Sequence, residues 1–372
     1  MSTSDEKGRS GAVTRFENFL KRAVELGASD IHVKTGLPPI VRINDVLQLL
    51  SKKEPALTGG EILGIAQAIV PTRMQGMLLA GQEIDMAYSI SGVGRYRLNI
   101  FRHRSQVGII CRFIPFDIRS IDDLGLPAAL KKIAVQPRGL ILVTGPAGSG
   151  KTTTMAAMLN EWNTLSGGHI VTIEDPIECL IRDRKSVITQ REVGIDTESF
   201  HTGLRNALRQ DPDVVMIGEI RDQETLQAAL NAAETGHLVI STLHTRDASE
   251  TVSRVVSLFE PEFQVQVRLQ LASVLNAVIS QRLVPRADSE GKGLVAVVEV
   301  LVNTPRVRDC LLDPNRHGEI REALNEGANY GMQTFDRCLM DLLKRKIITR
   351  ETALRNSTAP ADFELRLRGV TE

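Results

Sequence analysis

Between positions 139 and 158 the chain reads GLILVTGPAGSGKTTTMAAM, an apolar run, a glycine-rich loop and a helix-forming stretch in direct succession. The loop, GPAGSGKT at 145–152, fits the pattern G-x-x-x-x-G-K-[ST]. No other feature restricts the fold as strongly, because the chemistry dictates the backbone. Gly145, Gly148 and Gly150 allow the chain to curl around Pro146, Ala147 and Ser149 until its N–H groups point inward at phosphate oxygens. A helix that starts at the loop adds the positive end of its dipole. Lys151 is placed to reach the β- and γ-phosphates, and the Thr152 hydroxyl to ligand Mg²⁺, partly through water. The ligand this spacing implies is ATP with Mg²⁺.

The surrounding texture predicts an α/β fold. Buried strands are expected at 139–145, 169–173, 213–217 and 238–242, alternating with helices at 222–235 and 247–258, the signature of a parallel sheet covered on both faces. The remainder, 262–368, reads as mainly helical apart from an apolar stretch at 294–302. The N-terminal part differs. Residues 1–12 are expected as a mobile tail. Residues 13–114 combine a helix from Arg15 to Leu26, strands at Ile31–Lys34 and Ile40–Ile43, helical patterning over 58–80 broken at Pro71, and strands at 95–102 and 107–114. That mixture predicts a small α+β domain. Three prolines and a charge cluster mark 115–137 as a linker with one short helix, and therefore as the hinge. A motor domain follows over 138–372, its helical C-terminal subregion from about 303.

Hydrolysis needs a group that acts on water. DVVMIGEIRD at 213–222 places Glu219 just past an apolar strand, at the carboxyl edge where ligands sit. Arg221 is its competing partner. Position 218, where an aspartate usually precedes such a glutamate, is glycine. TIEDPIE at 172–178 adds Glu174, Asp175 and Glu178 at the end of another strand, candidate ligands for magnesium-bound water. ETGHLVISTLHT at 234–245 brackets a strand with His237 and His244. An imidazole past the strand end, His244, is placed to contact a γ-phosphate, whereas His237 suits packing or an interface equally well.

Composition removes several alternatives. Lys and Arg number 45, Asp and Glu 45, so the formal net charge is zero; with 4% aromatics this argues against a nucleic-acid partner. Cysteines at 111, 179, 310 and 338 include no close pair, which excludes a four-cysteine zinc site and fits a reducing compartment. The polar N-terminus is unlike a signal peptide, and no apolar run reaches the roughly 18 residues needed to span a bilayer. Charge is unevenly spread: residues 1–117 carry 15 basic and 11 acidic side chains, residues 118–372 carry 30 and 34.

The P-loop, the acidic box TIEDPIE, the Gly-Glu strand end IGEIRD and the histidine box, in this order, resemble the secretion ATPase superfamily of bacterial motors. GASDIHVKTGLPP, GRYRLNIFRHR, SQRLVP at 280–285 and GMQTFD at 331–336 are similar to its pilus-retraction (PilT/PilU-type) branch. The resemblance implies a RecA-like ATPase domain, a PAS-like N-terminal domain, a homo-hexameric ring, and ATP hydrolysis that powers type IV pilus retraction and twitching motility. It implies an inner-membrane pilus platform protein and a paralogous retraction ATPase as partners, a cytoplasmic location peripheral to the inner membrane, and arginine fingers from the first domain. Arg97 and Arg112 fit that role, since alternation turns them away from Tyr96, Leu98, Cys111 and Phe113. Assembly and secretion branches carry an extra N-terminal domain and a tetracysteine insert, neither seen here. VRDCLLD at 307–313 stands where the branch has an AIRNLIRE-like helix; Arg308 and Asp313 are kept, and Leu312 replaces an arginine. Three alternatives stay open: an assembly or secretion ATPase, a nucleic-acid translocase, and a nucleotide-binding partner without catalysis.

Overall fold

Alternating and uninterrupted apolar strands need different surroundings, and the chain separates them into two units, Met1–Phe116 and Asp117–Glu372. The computed structural model describes residues 3–43, 46–114, 118–287 and 293–369.

The first unit is built from α1 (Thr3–Glu25), β1 (Asp30–Val33), β2 (Ile40–Ile43), β3 (Val46–Leu49), α2 (Gly59–Ile69), α3 (Gln75–Ala80), β4 (Ile84–Ile90), β5 (Gly94–His103) and β6 (Gln106–Ile114). Its six strands form one antiparallel sheet in the order β3-β2-β1-β6-β5-β4. Alternation governs it: Tyr96, Leu98 and Ile100 of β5 are buried with Phe16, Leu20 and Ile62, while Arg97 between them is exposed. Thr58 and Glu61 close a reciprocal capping box on α2. Helix α1 begins earlier than the sequence suggested. Residues 3–12, expected as a mobile tail, are helical, and Ala12 and Val13 already pack on the core. Residues 1 and 2 lie outside the described residues.

The stretch expected as linker also joins a core. Ile121, Leu126, Leu130, Ile133 and Ala134 are buried with strand residues of the second unit, with Leu130, Ile133 and Ala134 carried on α4 (Ala129–Ala134). Residues 115–117 lie outside the described residues.

In the second unit come β7 (Gly139–Thr144), α5 (Lys151–Leu165), β8 (His169–Glu174), β9 (Val187–Glu192), α6 (Phe200–Ala207), β10 (Val214–Ile217), α7 (Gln223–Glu234), β11 (Leu238–Leu243), α8 (Ala248–Ser257) and α9 (Gln264–Val274); the strand β9 and the helix α6 were not expected, and the others stand where the sequence placed them. They are followed by β12 (Leu275–Pro285) and β13 (Leu294–Val302). The sheet runs β13-β12-β7-β11-β10-β8-β9, parallel except for β13. Every residue of β7, β10 and β11 is buried, as a sheet with helices on both faces requires. The strand β12 corrects the helical reading of that region. It lies beside β7 and gives Ala277, Val278 and Ile279 to the core, which polar Asn276, Ser280 and Gln281 disguise in the sequence. Helices α10 (Pro305–Leu312), α11 (Ile320–Glu326), α12 (Phe335–Lys344), α13 (Arg350–Asn356) and α14 (Pro360–Leu367) complete the C-terminal region, with Phe335, Leu339 and Phe363 packed on Val284 and Val297.

Candidate nucleotide site

Parallel strands deliver their loops to one edge, and here β7, β8, β10 and β11 deliver four polar segments to the same place. A cavity of about 240 Å³ opens there, lined by Ala147, Gly148, Lys151 and Thr152 of the P-loop, Glu174, Asp175 and Glu178 of the acidic box, and Gly218, Glu219 and His244. Nine of the candidate P-loop, acidic-box and catalytic residues therefore face one space. Gly145, Pro146, Ser149 and Gly150 build the loop around it. The segment turns on itself through Ser149 N–H to Pro146 O at 3.2 Å, and α5 starts at Lys151 with Gly150 left-handed at φ 85° before it.

Lys151 is mostly buried, and its ammonium donates to the carbonyls of Gly145 at 2.9 Å and Pro146 at 3.0 Å. Burial lowers its pKa, against the pull of Glu219 and Glu178. Glu219 is held by hydroxyl groups that knit the strand ends: Ser241 Oγ donates to Ile217 O at 2.9 Å and Thr242 Oγ1 to Gly218 O at 2.8 Å. Its carboxylate contacts Arg221 and stands 3.3 Å from His244 Nε2. Burial pushes the Glu219 pKa upward, but Arg221 and then His244 outweigh it and hold the carboxyl below its usual range. Arg221 is thus a true partner of Glu219, which still faces the cavity.

Gly218 stands where an aspartate was looked for. A Cβ at this position would sit 3.3 Å from the Ile173 carbonyl and 3.4 Å from the Phe200 ring, so the sheet leaves little room for any side chain. In the acidic box, Glu174 is buried; its Oε1 accepts from Thr172 Oγ1 at 2.6 Å and Gln190 Nε2 at 3.0 Å. Burial raises its pKa, opposed by these bonds. Glu174 therefore braces the box, leaving Asp175 and Glu178 as its other carboxylates on the cavity.

His237 is not brought to the site. It begins the approach to β11 at the opposite edge, where its Nδ1 lies 2.9 Å from Ala232 O at the end of α7. Arg97 and Arg112 belong to the first unit and face each other across β5 and β6. Arg112 Nε donates to Asp30 at 2.9 Å, Arg42 lies 3.9 Å from the same carboxylate, and Arg97 lies 3.9 Å from Asp85. Both side chains stay open to solvent, Arg112 at 71% and Arg97 at 50%.

The donor set fits a hard cation only in part. Thr152, Asp175 and Glu178 offer oxygen ligands, yet among the described residues no group of three or more His, Cys, Asp or Glu could hold a metal ion. A cation bound here would need phosphate oxygens and water to complete its shell. One residue escaped the sequence reading: Gln281, buried on β12 directly behind the P-loop. Only its place in SQRLVP marked it.

Residues 116–355 match the family model described as type II/IV secretion system protein. The chain is 40% identical over 345 residues to the type IV pilus retraction ATPase PilT of Pseudomonas aeruginosa, covering 93% of this chain and 98% of that protein. It is 39% identical over 355 residues to the type IV pilus ATPase PilU of the same organism, covering 95% and 91%. A crystal structure of the pilus retraction motor PilT with bound ADP superposes with a TM-score of 0.84 at 40% identity, over 93% of this chain and 97% of that one.

Proposed function

The chain belongs to the type II/IV secretion system protein family and is a P-loop ATPase of that family; on that premise we propose that it powers type IV pilus retraction as a homo-hexameric ring. The convergence of Lys151, Thr152, Glu219 and His244 on one cavity at the sheet's carboxyl edge carries the reading of the site.

Lys151 and the loop N–H groups hold the phosphates. A Mg²⁺ ion held by Thr152, and through water by Asp175 and Glu178, would neutralise charge developing between the β- and γ-phosphates. Glu219 orients the attacking water. Arg221 and His244 hold the Glu219 carboxylate ionised, able to accept that water's proton as well as to orient it. His244 touches Glu219 from the end of β11, which lets it sense the γ-phosphate and the carboxylate together. Arg97 and Arg112 add positive charge in the assembled ring, a role suited to exposed guanidinium groups on one sheet face.

Partners follow from the same reading: an inner-membrane platform protein at the pilus base, turned by the motor, and a paralogous retraction ATPase. Among the described residues no helix is long and apolar enough to cross a membrane, consistent with peripheral attachment. Deleting the gene in its host tests the function. Retraction predicts hyperpiliated cells that do not twitch; bald cells would instead establish an assembly motor. ATP turnover stimulated by DNA, with steep salt dependence, would replace both by a translocase.

A further inference from the structure

The P-loop has two sides. One faces the cavity; the other rests on β12, and Gln281 is the contact. Gln281 is 2% exposed, and its two amide atoms are both engaged. Nε2 donates to Ser149 O at 2.6 Å, and Oε1 accepts from Thr154 Oγ1 at 2.7 Å. One side chain therefore ties the crown of the loop to the first turn of α5. Ser280, its neighbour, lies with its hydroxyl 2.9 Å from Thr144 Oγ1 at the end of β7, so β12 is fixed to the strand that launches the loop.

The consequence lies in peptide geometry. In a trans peptide the C=O and the following N–H point in opposite directions. Pinning Ser149 O toward Gln281 therefore aims the Gly150 N–H away from β12, toward the inside of the curl. The two flanking glycines show how close this support is. A Cβ on Gly150 would lie 2.8 Å from Gln281 Nε2, and one on Gly145 would lie 2.3 Å from Gln281 O. Gln281 does not line the cavity that Lys151 and Glu219 share; with Gly150 and Thr154 it borders a second one on the other side of the loop.

We infer that Gln281 is a positioning residue of the phosphate site: with Thr154 it forms a relay that sets the Ser149–Gly150 peptide so that the Gly150 N–H meets phosphate. The inference rests on the reading of residues 145–152 as the phosphate-binding loop. Replacing the amide with an isosteric apolar chain removes the orienting donor and leaves Ser149 O and Thr154 Oγ1 buried and unpaired.

Calorimetric titration of the full chain with ADP and with ATP, beside steady-state turnover and melting temperature, tests it. Gln281→Met is expected to weaken ADP binding by about tenfold, with a smaller change in turnover at saturating ATP. Thr154→Val should shift ADP affinity in the same direction, Thr154→Ser should restore it, and the double variant Q281M/T154V should be no worse than Q281M. Affinity within twofold of the parent despite a lowered melting temperature would reduce Gln281 to a structural role and overturn the inference. So would losses that multiply in the double variant. If Q281M does not fold, the Thr154 pair decides: equal affinity in T154V and the parent overturns the relay. Lys151→Ala separates the premise, since retained affinity there removes the P-loop reading itself. Loss in K151A with none in Q281M removes only the role of Gln281.

Discussion

The two units treat buried charge in opposite ways. In the first, the antiparallel sheet has an open face, and a cross-strand row of Arg42, Asp30, Arg112 and Arg97 lies on it. Asp30 is buried, which raises its pKa, but Arg112, Ser29 and Arg42 outweigh burial and hold it low. In the second, strands are buried on both faces, and polar groups are admitted at strand ends or beside helix starts. Glu299 of β13 is such a group. It accepts from Ala248 N–H at 3.0 Å, and burial, with Asp247 nearby, pushes its pKa to about 7 against the pull of that bond and of Arg282 and Arg321. An open face lets counter-charges gather around a carboxylate; inside a closed layer Glu299 gives up its proton only at higher pH.

The strongest test of the contrast is at a strand end. Glu219→Gln is expected to lower ATP turnover by about 10²–10⁴-fold with ATP binding retained, read by phosphate release. Unchanged turnover would remove the strand-end carboxylate from the chemistry. Next come the two buried acids, whose pH dependences have opposite sign. The folded-state pKa of Glu299 lies above its ordinary 4.5, so its contribution is full below that value and is lost as pH rises through about 7. The loss amounts to about 3 kcal/mol at most, and Glu299→Gln should abolish it in denaturant melts from pH 5 to 8. Asp30 behaves inversely: its folded pKa lies below 3.8, so its contribution is present above that value and lost on further acidification. Asp30→Asn should cost about 1–2 kcal/mol at neutral pH, reduced because Arg112 is solvent-exposed, and should flatten the acid limb of unfolding followed in the first unit. Equal slopes in parent and variant would show that the arginine row is not organised by Asp30. The smallest effect is expected from His237→Ala, below about 1 kcal/mol of stability through the end of α7 and no change in turnover.

The sequence displayed what is local. The P-loop, the acidic box and the histidine box are contiguous, and β7, β8, β10 and β11 are short apolar runs whose burial on both faces leaves no other reading. Arg97 and Arg112 were legible as exposed because period-two alternation survives in β5 and β6. What was lost depended on distant partners. The polar residues of β12 answer to the P-loop 132 positions earlier and to the C-terminal helices, so they erase the strand pattern. The strand β9 is polar because it sits at the sheet edge, and the linker reading of 115–137 failed from Ile121 onward because its scattered apolar residues meet a core assembled elsewhere. Asp30 was visible only as part of GASDIHV; its role emerged once β1 stood between β2 and β6.

The close approach of β12 to Gly145 and Gly150 changes how a conventional mutational scan of the loop should be understood. Both positions exclude a side chain because of strand β12, at 2.3 Å and 2.8 Å from a notional Cβ, before any phosphate is considered. An alanine at Gly145 would press on the backbone of β12 and one at Gly150 on the Gln281 amide, so loss of activity at either reports crowding as well as backbone conformation. Gly148, where nothing lies within 4 Å of such a Cβ, is free of that conflict and leaves its left-handed backbone and its place on the cavity to account for. Of the three glycines in the signature, it is the one at which a substituted methyl meets no neighbouring protein atom.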